Sequence, residues 1–229
     1  MKGGKKEARI GRNFTQGLME SGMKTKTFLT LAALACAALL TGCMSSGTLN
    51  ALFTDAYGAR ADGGYEIPAV PISEIPVEYR RQEIDYPTDE KPGTIIVDTK
   101  NKFLYYVEGD DKAIRYGIGV GREGFSWKGT THIAMKREWP HWTPPSAMIK
   151  RQPELAKYRH GMDPGLMNPL GARALYLFTK NGDTGYRLHG SPEWKSIGHA
   201  VSSGCIRLMN QDIIDLYNRA QVGDKVIVM

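Results

Sequence analysis

A mainly β domain with one late α-helix and a long, lid-like insertion is the fold that this 229-residue sequence predicts. Three observations carry the prediction. From residue 93 to residue 229, short runs rich in Val, Ile, Tyr and Thr alternate with Gly, Asn and Asp, as strands and tight turns require. A single stretch, residues 210–220, spaces its apolar residues at the helical period. Residues 139–171 follow neither period and are dense in Pro and Gly.

Ahead of the domain the chain reads as a targeting segment. Residues 28–40, FLTLAALACAALL, form a 13-residue apolar run preceded by Lys24 and Lys26. It is too short to cross a bilayer comfortably and has the length of a secretory signal's apolar region. The run closes on LTGC, Leu40 to Cys43, which resembles the lipobox of bacterial lipoproteins. That resemblance implies removal of residues 1–42 as a signal peptide, with lipid on the Cys43 thiol at the new N-terminus. An ordinary cleaved signal and an uncleaved anchor are the competing readings. Residues 1–22 are polar and basic, and Met23 followed by Lys-Thr-Lys would itself start a signal. They are either a long basic prelude or no part of the true precursor.

Removing the leader changes both charge and thiol chemistry. The chain's +6 falls to +1, because residues 1–42 hold seven Lys/Arg and two Asp/Glu. Nothing in the remainder calls for nucleic acid as a partner. Of Cys36, Cys43 and Cys205, the first leaves with the signal and the second carries lipid on the lipobox reading. Cys205 then stands as the only free thiol in an oxidising compartment, a position that favours reactivity over packing as its role.

Residues 43–92 are rich in Pro, Gly and charge and are expected to be a lipidated tether with docking points such as Tyr79 and Ile84. Residues 93–229 then form one domain. The runs 93–99 and 102–110 read as a hairpin turned at Lys100 and Asn101. Residues 112–121 continue the series, with Gly117, Gly119 and Gly121 marking a bend or a close backbone approach. The runs 131–138, 172–179, 184–190 and 224–229 complete the expected strands. In the helix, Asn210 is the expected N-cap, Asp212 favours the first turn, and Ile213, Ile214, Leu216 and Tyr217 supply the buried face. In the insertion, Trp139 and Trp142 are expected to line a substrate-facing wall. A satellite apolar cluster pinning the loop is the competing reading of each.

A cysteine nucleophile needs a base to take its proton and donors to hold the oxyanion formed on attack. Five histidines are available: His132, His141, His160, His189 and His199. His189 ends a strand-like run sixteen residues before Cys205, a separation that allows the chain to loop out and return. The passage YRLHGSPEWKSIGHAVSSGCIRLMNQDIIDLY resembles the active-site motif of YkuD-type L,D-transpeptidases, His-Gly-Ser/Thr, Ile-Gly and Ser-x-Gly-Cys-Ile/Val-Arg. It matches at His189, Gly190, Ser191, Ile197, Gly198, Ser202, Gly204, Cys205, Ile206 and Arg207. RYGIGVGREGFSWKGT and NPLGARALYL look like earlier strands of the same family, so the resemblance covers residues 93–229.

The resemblance implies the L,D-transpeptidase catalytic-domain fold, a mixed β-sandwich with the cysteine in a groove. It implies that Cys205 attacks the stem tetrapeptide of peptidoglycan, releasing D-Ala and forming a thioester, and that His189 shuttles the protons. An amine from another stem peptide, or from an outer-membrane protein or lipoprotein, would then resolve the acyl-enzyme. Backbone N–H groups at Ser203, Gly204 and Cys205 are the expected oxyanion donors. Gly190, Ser191, Ser202 and Arg207 are expected to support the site or to bind substrate. For Arg207, biasing the thiol toward thiolate or holding a carboxylate competes with an ion pair that pins the loop. Many members carry a second histidine where this chain has Ser203, so its orienting role must fall to backbone or to another side chain. His132, His141, His160 and His199 are read as surface or packing residues. No metal and no cofactor is expected, since the histidines lack zinc-type spacing and GIGVGREG lacks the strand–turn–helix context of a dinucleotide fingerprint. The expected setting is the periplasm, lipid-anchored at the outer membrane, because Met44 and Ser45 replace the aspartate linked in enterobacteria to inner-membrane retention. Two rival functions keep the same residues: an L,D-carboxypeptidase or hydrolase of protein–peptidoglycan links, and a wall-binding lipoprotein without turnover.

Overall fold

Strand formation begins earlier in the chain than the sequence predicts. The computed structural model describes residues 56–122 and 127–229, all within the unit Gly47–Met229. The signal segment, the lipobox with Cys43 and residues 123–126 lie outside the described residues. From residue 56 onward the expected tether is folded. β1 (Arg60–Asp62) and β2 (Tyr65–Ile67) form an antiparallel hairpin. β3 (Gln82–Asp85) pairs antiparallel with a strand of the main sheet and carries Ile84. Tyr57, just before β1, and Ile75, between β2 and β3, pack with Ile197 and Met209 in a second cluster that also takes up Tyr79. Strands of three or four residues between prolines are too short to show a period, which is why composition reads this segment as linker.

The predicted strands follow, most trimmed by a few residues at their ends and two of them, at 129–138 and 182–191, extended by one or two. β4 (Ile95–Asp98) and β5 (Phe103–Gly109) make the expected hairpin. At its turn Asp98 Oδ1 accepts the Asn101 N–H at 2.9 Å. β6 (Lys112–Gly117) follows, and β7 (Val120–Gly121) comes after the glycine bend. A Cβ on Gly117 would sit 2.4 Å from the Tyr79 carbonyl oxygen, and one on Gly119 would sit 2.7 Å from that of Ser196. The close backbone approach read from these glycines is therefore real, and no larger residue fits without moving main chain. β8 (Gly129–Glu138), the short helix α1 (Ser146–Arg151), β9 (Arg173–Thr179) and β10 (Gly182–Ser191) come next. β11 (Ala200–Ser202), β12 (Ile206–Met209), α2 (Asn210–Arg219) and β13 (Lys225–Val228) complete the chain.

Nine strands join in one mixed sheet, in the order β12-β10-β9-β8-β13-β4-β5-β6-β3. The β10–β12 and β13–β4 pairs are parallel; the others are antiparallel. The end strand β12 is also bonded to the segment after β6: the Arg207 N–H donates to the Gly119 carbonyl at 2.8 Å, and the Gly119 N–H returns a bond to the Arg207 carbonyl at 2.9 Å. β7 and β11 pair alongside. The sheet therefore folds over one apolar core. Residues of β4, β6, β8, β9, β10, β12 and β13 pack there with Ile213 and Leu216 of α2. Each of these aliphatic side chains contributes roughly 1.5–3 kcal/mol by leaving water.

α2 differs from expectation at its start. Met209, in extended conformation, is the N-cap and supplies no side-chain cap. Asn210 turns inward instead, and its Oδ1 accepts the Ala172 N–H at 2.9 Å. Its amide ties the helix to the entry of β9, a stronger demand on a buried N–H than helix capping itself.

Candidate active site

The parallel pairing of β10 and β12 places the site. Leu188 pairs with Ile206 and His189 with Arg207. Side chains alternate across a strand, so Leu188, Ile206 and Leu208 enter the core while His189 and Arg207 share the opposite face. One chemistry-bearing face thus arises from two runs whose paired residues lie eighteen positions apart in sequence.

His189 and Cys205 line the same cavity, of about 300 Å³. One wall is the insertion, contributing Trp142, Met148, Gln152 and Leu155; Arg122, Ser202, Ser203 and Arg207 complete the side around the thiol. His189 is 4% exposed. Its Nδ1 lies 2.5 Å from the Gly190 carbonyl oxygen. A carbonyl can only accept, so the proton resides on Nδ1 and Nε2 is left as the basic nitrogen. The orienting role that a second histidine would have filled falls to main chain. Burial, aided by the charges of Arg207 and Arg187, pushes the His189 imidazole down to about 4, against the bond to Gly190. Burial pushes the half-buried Cys205 thiol up, opposed by the Arg187 N–H and by the Arg187 and Arg207 charges. At neutral pH the resting pair is therefore neutral thiol and neutral imidazole.

The turn before the thiol is built by Ser202. Its Oγ donates to the Cys205 carbonyl at 2.7 Å and accepts the Gly204 N–H at 3.1 Å. Gly204 has φ +127, a conformation that glycine tolerates. The Gly204 N–H is engaged in this bond, which corrects its expected place in the oxyanion hole. Among the described residues no partner is shown for the N–H groups of Ser203 and Cys205. Arg207 Nη1 pairs with Glu193 Oε2 at 2.7 Å, so the ion pair is formed while both residues border the cavity.

The remaining sequence candidates divide. Trp142 lines the cavity, bridged to Met162 by two main-chain bonds. Trp139 does not: it is buried with Tyr65, Ile67 and Ile214, and its Nε1 donates to Asp62 Oδ2 at 2.8 Å. The strand that precedes it runs into the fold at this point and carries its indole under the β1–β2 hairpin, so the competing reading of Trp139 holds. Gly190 is structural as well as orienting, since a Cβ there would meet Asn210 Oδ1 at 2.3 Å. Ser191 Oγ accepts the Glu193 N–H at 3.1 Å and shapes the loop after β10 without lining the cavity. His141 faces Asp163 at 3.4 Å, His160 accepts from Arg159, and His199 is exposed outside the cavity. Sequence reasoning missed Arg122, Glu193 and the walls at Met148, Gln152 and Leu155. It also missed Arg187, which period-2 alternation from His189 would have placed on the same face.

A model of the L,D-transpeptidase catalytic domain, YkuD, matches residues 92–228, more than half of the chain. The probable L,D-transpeptidase YbiS of Escherichia coli strain K12 is 32% identical over 156 residues, covering 63% of this chain and 47% of that protein. The probable L,D-transpeptidase YcfS of the same strain is 33% identical over 147 residues, covering 62% and 45% respectively. The chain spans about half the length of these curated relatives. A solved structure from Brucella melitensis, described as a probable carnitine operon oxidoreductase, is 46% identical, with 69% of this chain and 97% of that one covered at a TM-score of 0.48.

Proposed function

Since the chain belongs to the YkuD family of L,D-transpeptidase catalytic domains, we propose that it is a cysteine acyltransferase acting on peptidoglycan stem tetrapeptides. The observation that carries this reading is the His189–Gly190 bond beside the Cys205 thiol in one cavity. With Nδ1–H held by main chain, Nε2 is ready to take the Cys205 proton as the sulfur attacks the amide carbonyl before D-Ala. The carbonyl oxygen becomes an oxyanion, for which the N–H groups of Ser203 and Cys205 are the proposed donors. Collapse breaks the C–N bond, His189 returns the proton to the leaving amine of D-Ala, and a thioester remains on Cys205. An incoming amine, deprotonated by the same Nε2, attacks the thioester and regenerates the thiol.

The neutral resting pair fits this sequence of steps. A base near 4 is unprotonated at working pH, and proton transfer accompanies attack rather than preceding it. Trp142 and Leu155 give the donor peptide an apolar wall, and Arg122 and Arg207 give its carboxylates cationic partners. The acceptor is proposed to be a second stem peptide or an envelope protein. Lipid on Cys43 and residence at the outer membrane are further proposals resting on the leader alone.

Incubation of the protein with disaccharide tetrapeptide tests the reading. Mass analysis is expected to show release of D-Ala together with a cross-linked dimer or, when an envelope protein is supplied, its adduct. Trimmed monomer alone would instead assign water as the acceptor, and an unchanged tetrapeptide would contradict the acyltransferase.

A further inference from the structure

Arg187 occupies a position for which the reaction above has no role. The parallel register pairs Leu188 with Ile206, and Arg187 and Cys205 are the residues directly before that pair. β10 is irregular just before this point, where its register with β9 shifts between Asp183 and Arg187 and Gly185 takes φ +78. That irregularity brings main chain to the sulfur: the Gly185 carbonyl lies 4.0 Å from Cys205 Sγ, and the main-chain N–H of Arg187 favours ionisation of the same thiol. The side chain is held as firmly. Arg187 Nη1 and Nη2 fork onto the two carboxylate oxygens of Asp183, both at 2.7 Å, and Nη1 also donates to the Tyr186 carbonyl. The guanidinium carbon stands 4.3 Å from the centre of the Tyr176 ring, on the strand across from it. A planar cation fixed on three sides keeps its charge where it is put, unlike a free lysine.

We infer that Arg187 is the thiolate-supporting residue of this site, its main-chain N–H and its fixed guanidinium together holding the negative charge left on Cys205 Sγ when the S–H bond breaks. The proton leaves to His189 Nε2 or to solvent base, and the electron pair stays on sulfur. The inference rests on Cys205 being the nucleophile. The other charged groups facing the thiol are Arg207, itself paired to Glu193, then Arg122 across the cavity, neutral His189, and Asp183, whose carboxylate opposes ionisation. Asp183 thus has two effects of opposite sign: it fixes Arg187 in place and adds a negative charge near the sulfur.

That opposition gives a test. Iodoacetamide alkylation of the full chain is followed against pH on the peptide carrying Cys205, by mass spectrometry, for the wild type, Arg187→Gln, Arg187→Lys and Asp183→Asn. Arg187→Gln is expected to move the alkylation midpoint about one unit upward, which lowers the rate near pH 7.5 about tenfold. Arg187→Lys keeps the charge and is expected to lie closer to the wild type than Arg187→Gln does. Asp183→Asn is expected to move the midpoint downward, because Tyr176 and the Tyr186 carbonyl still hold the cation. A pair that served only to brace the strand would shift both ways alike or not at all, and either result overturns the inference. Should Arg187→Gln fail to fold, the contrast between Arg187→Lys and Asp183→Asn decides. Alkylation reads ionisation alone, so shifts as expected with no acyl transfer to any acceptor would contradict the proposed function and leave this role for Arg187 standing.

Discussion

His189 carries the most exacting chemistry of the site, and its burial has a consequence in pH. An imidazole held down to about 4 stays a base well below the ordinary histidine range. Acylation by tetrapeptide is therefore expected to keep its neutral-pH rate down to about pH 5 and to fall through about pH 4. A fall centred near 6.5 would show that His189 titrates as an exposed histidine. Replacing His189 by Gln removes the base and is expected to slow acylation by about 10²–10⁴-fold, the usual worth of a positioned general base. Folding moves with pH in the matching sense. The unfolded chain binds a proton on this histidine below about 6.5 and the folded chain only below about 4, so stability is lost as pH falls through that window. Ser202 acts on the turn rather than on the substrate. Ser202→Ala frees the Cys205 carbonyl and the Gly204 N–H together, and acylation is expected to drop at least tenfold while unfolding shifts by about 1–2 kcal/mol.

At the scale of elements, the β1–β2 hairpin is fastened to the insertion and to β9 through one carboxylate. Asp62 takes both Arg173 nitrogens, at 2.7 and 2.8 Å, and the Trp139 indole at 2.8 Å. Arg173 is buried, and Asp62→Ala leaves it only the longer ion pair to Glu138 at 3.6 Å, so the change is expected to cost about 2–4 kcal/mol in a denaturant unfolding curve. A loss under 1 kcal/mol would show that Glu138 suffices for Arg173. None of this hairpin was legible in the sequence. Runs such as Arg-Ala-Asp and Tyr-Glu-Ile are too short for a period, and their pairing depends on residues more than a hundred positions away. β4, β5, β6, β8, β9, β10 and β13 were legible because each sits in a run of six to ten residues with strand composition between turn formers. β12 was not, because its four residues run from the Cys205 turn straight into α2 with no turn former between them. Of the site, Cys205 and His189 could be read from their motif, and Trp142 from its place in an overlong loop. Gly204 was misjudged because its bond to Ser202 is a three-dimensional fact, and Trp139 because an aromatic in a loop looks the same whether it faces substrate or core.

For the whole molecule, the family match begins at residue 92, yet the fold described here begins near residue 56. Tyr57 is buried and links the two parts: it accepts the Arg81 N–H at 2.7 Å and donates to Asp212 Oδ2 at 3.1 Å, at the start of α2. Asp212 is fully buried, and that burial raises its carboxyl to about 7 despite the Arg81 charge. The folded state thus holds a proton that the unfolded state releases above about 3.8, so this contribution is present in acid and lost as pH rises toward 7. Asp212→Asn is expected to raise the melting temperature more at pH 8 than at pH 5, the difference corresponding to about 1–3 kcal/mol. An equal effect at both values would place the charge elsewhere. Removing residues 56–91 would strip β3 from β6 and Tyr57 and Ile75 from their cluster, and the remaining domain is expected to melt at a lower temperature or to aggregate. A covalent bond between the sulfur of Cys205 and substrate is the step that defines the proposed acyl transfer. Intact-mass analysis after mixing the wild-type protein with tetrapeptide is expected to show an adduct lacking D-Ala, mapped to Cys205 and absent from Cys205→Ala. A wild-type protein that never gains that mass while substrate is consumed, or a Cys205→Ala protein that still gains it, would contradict the central claim.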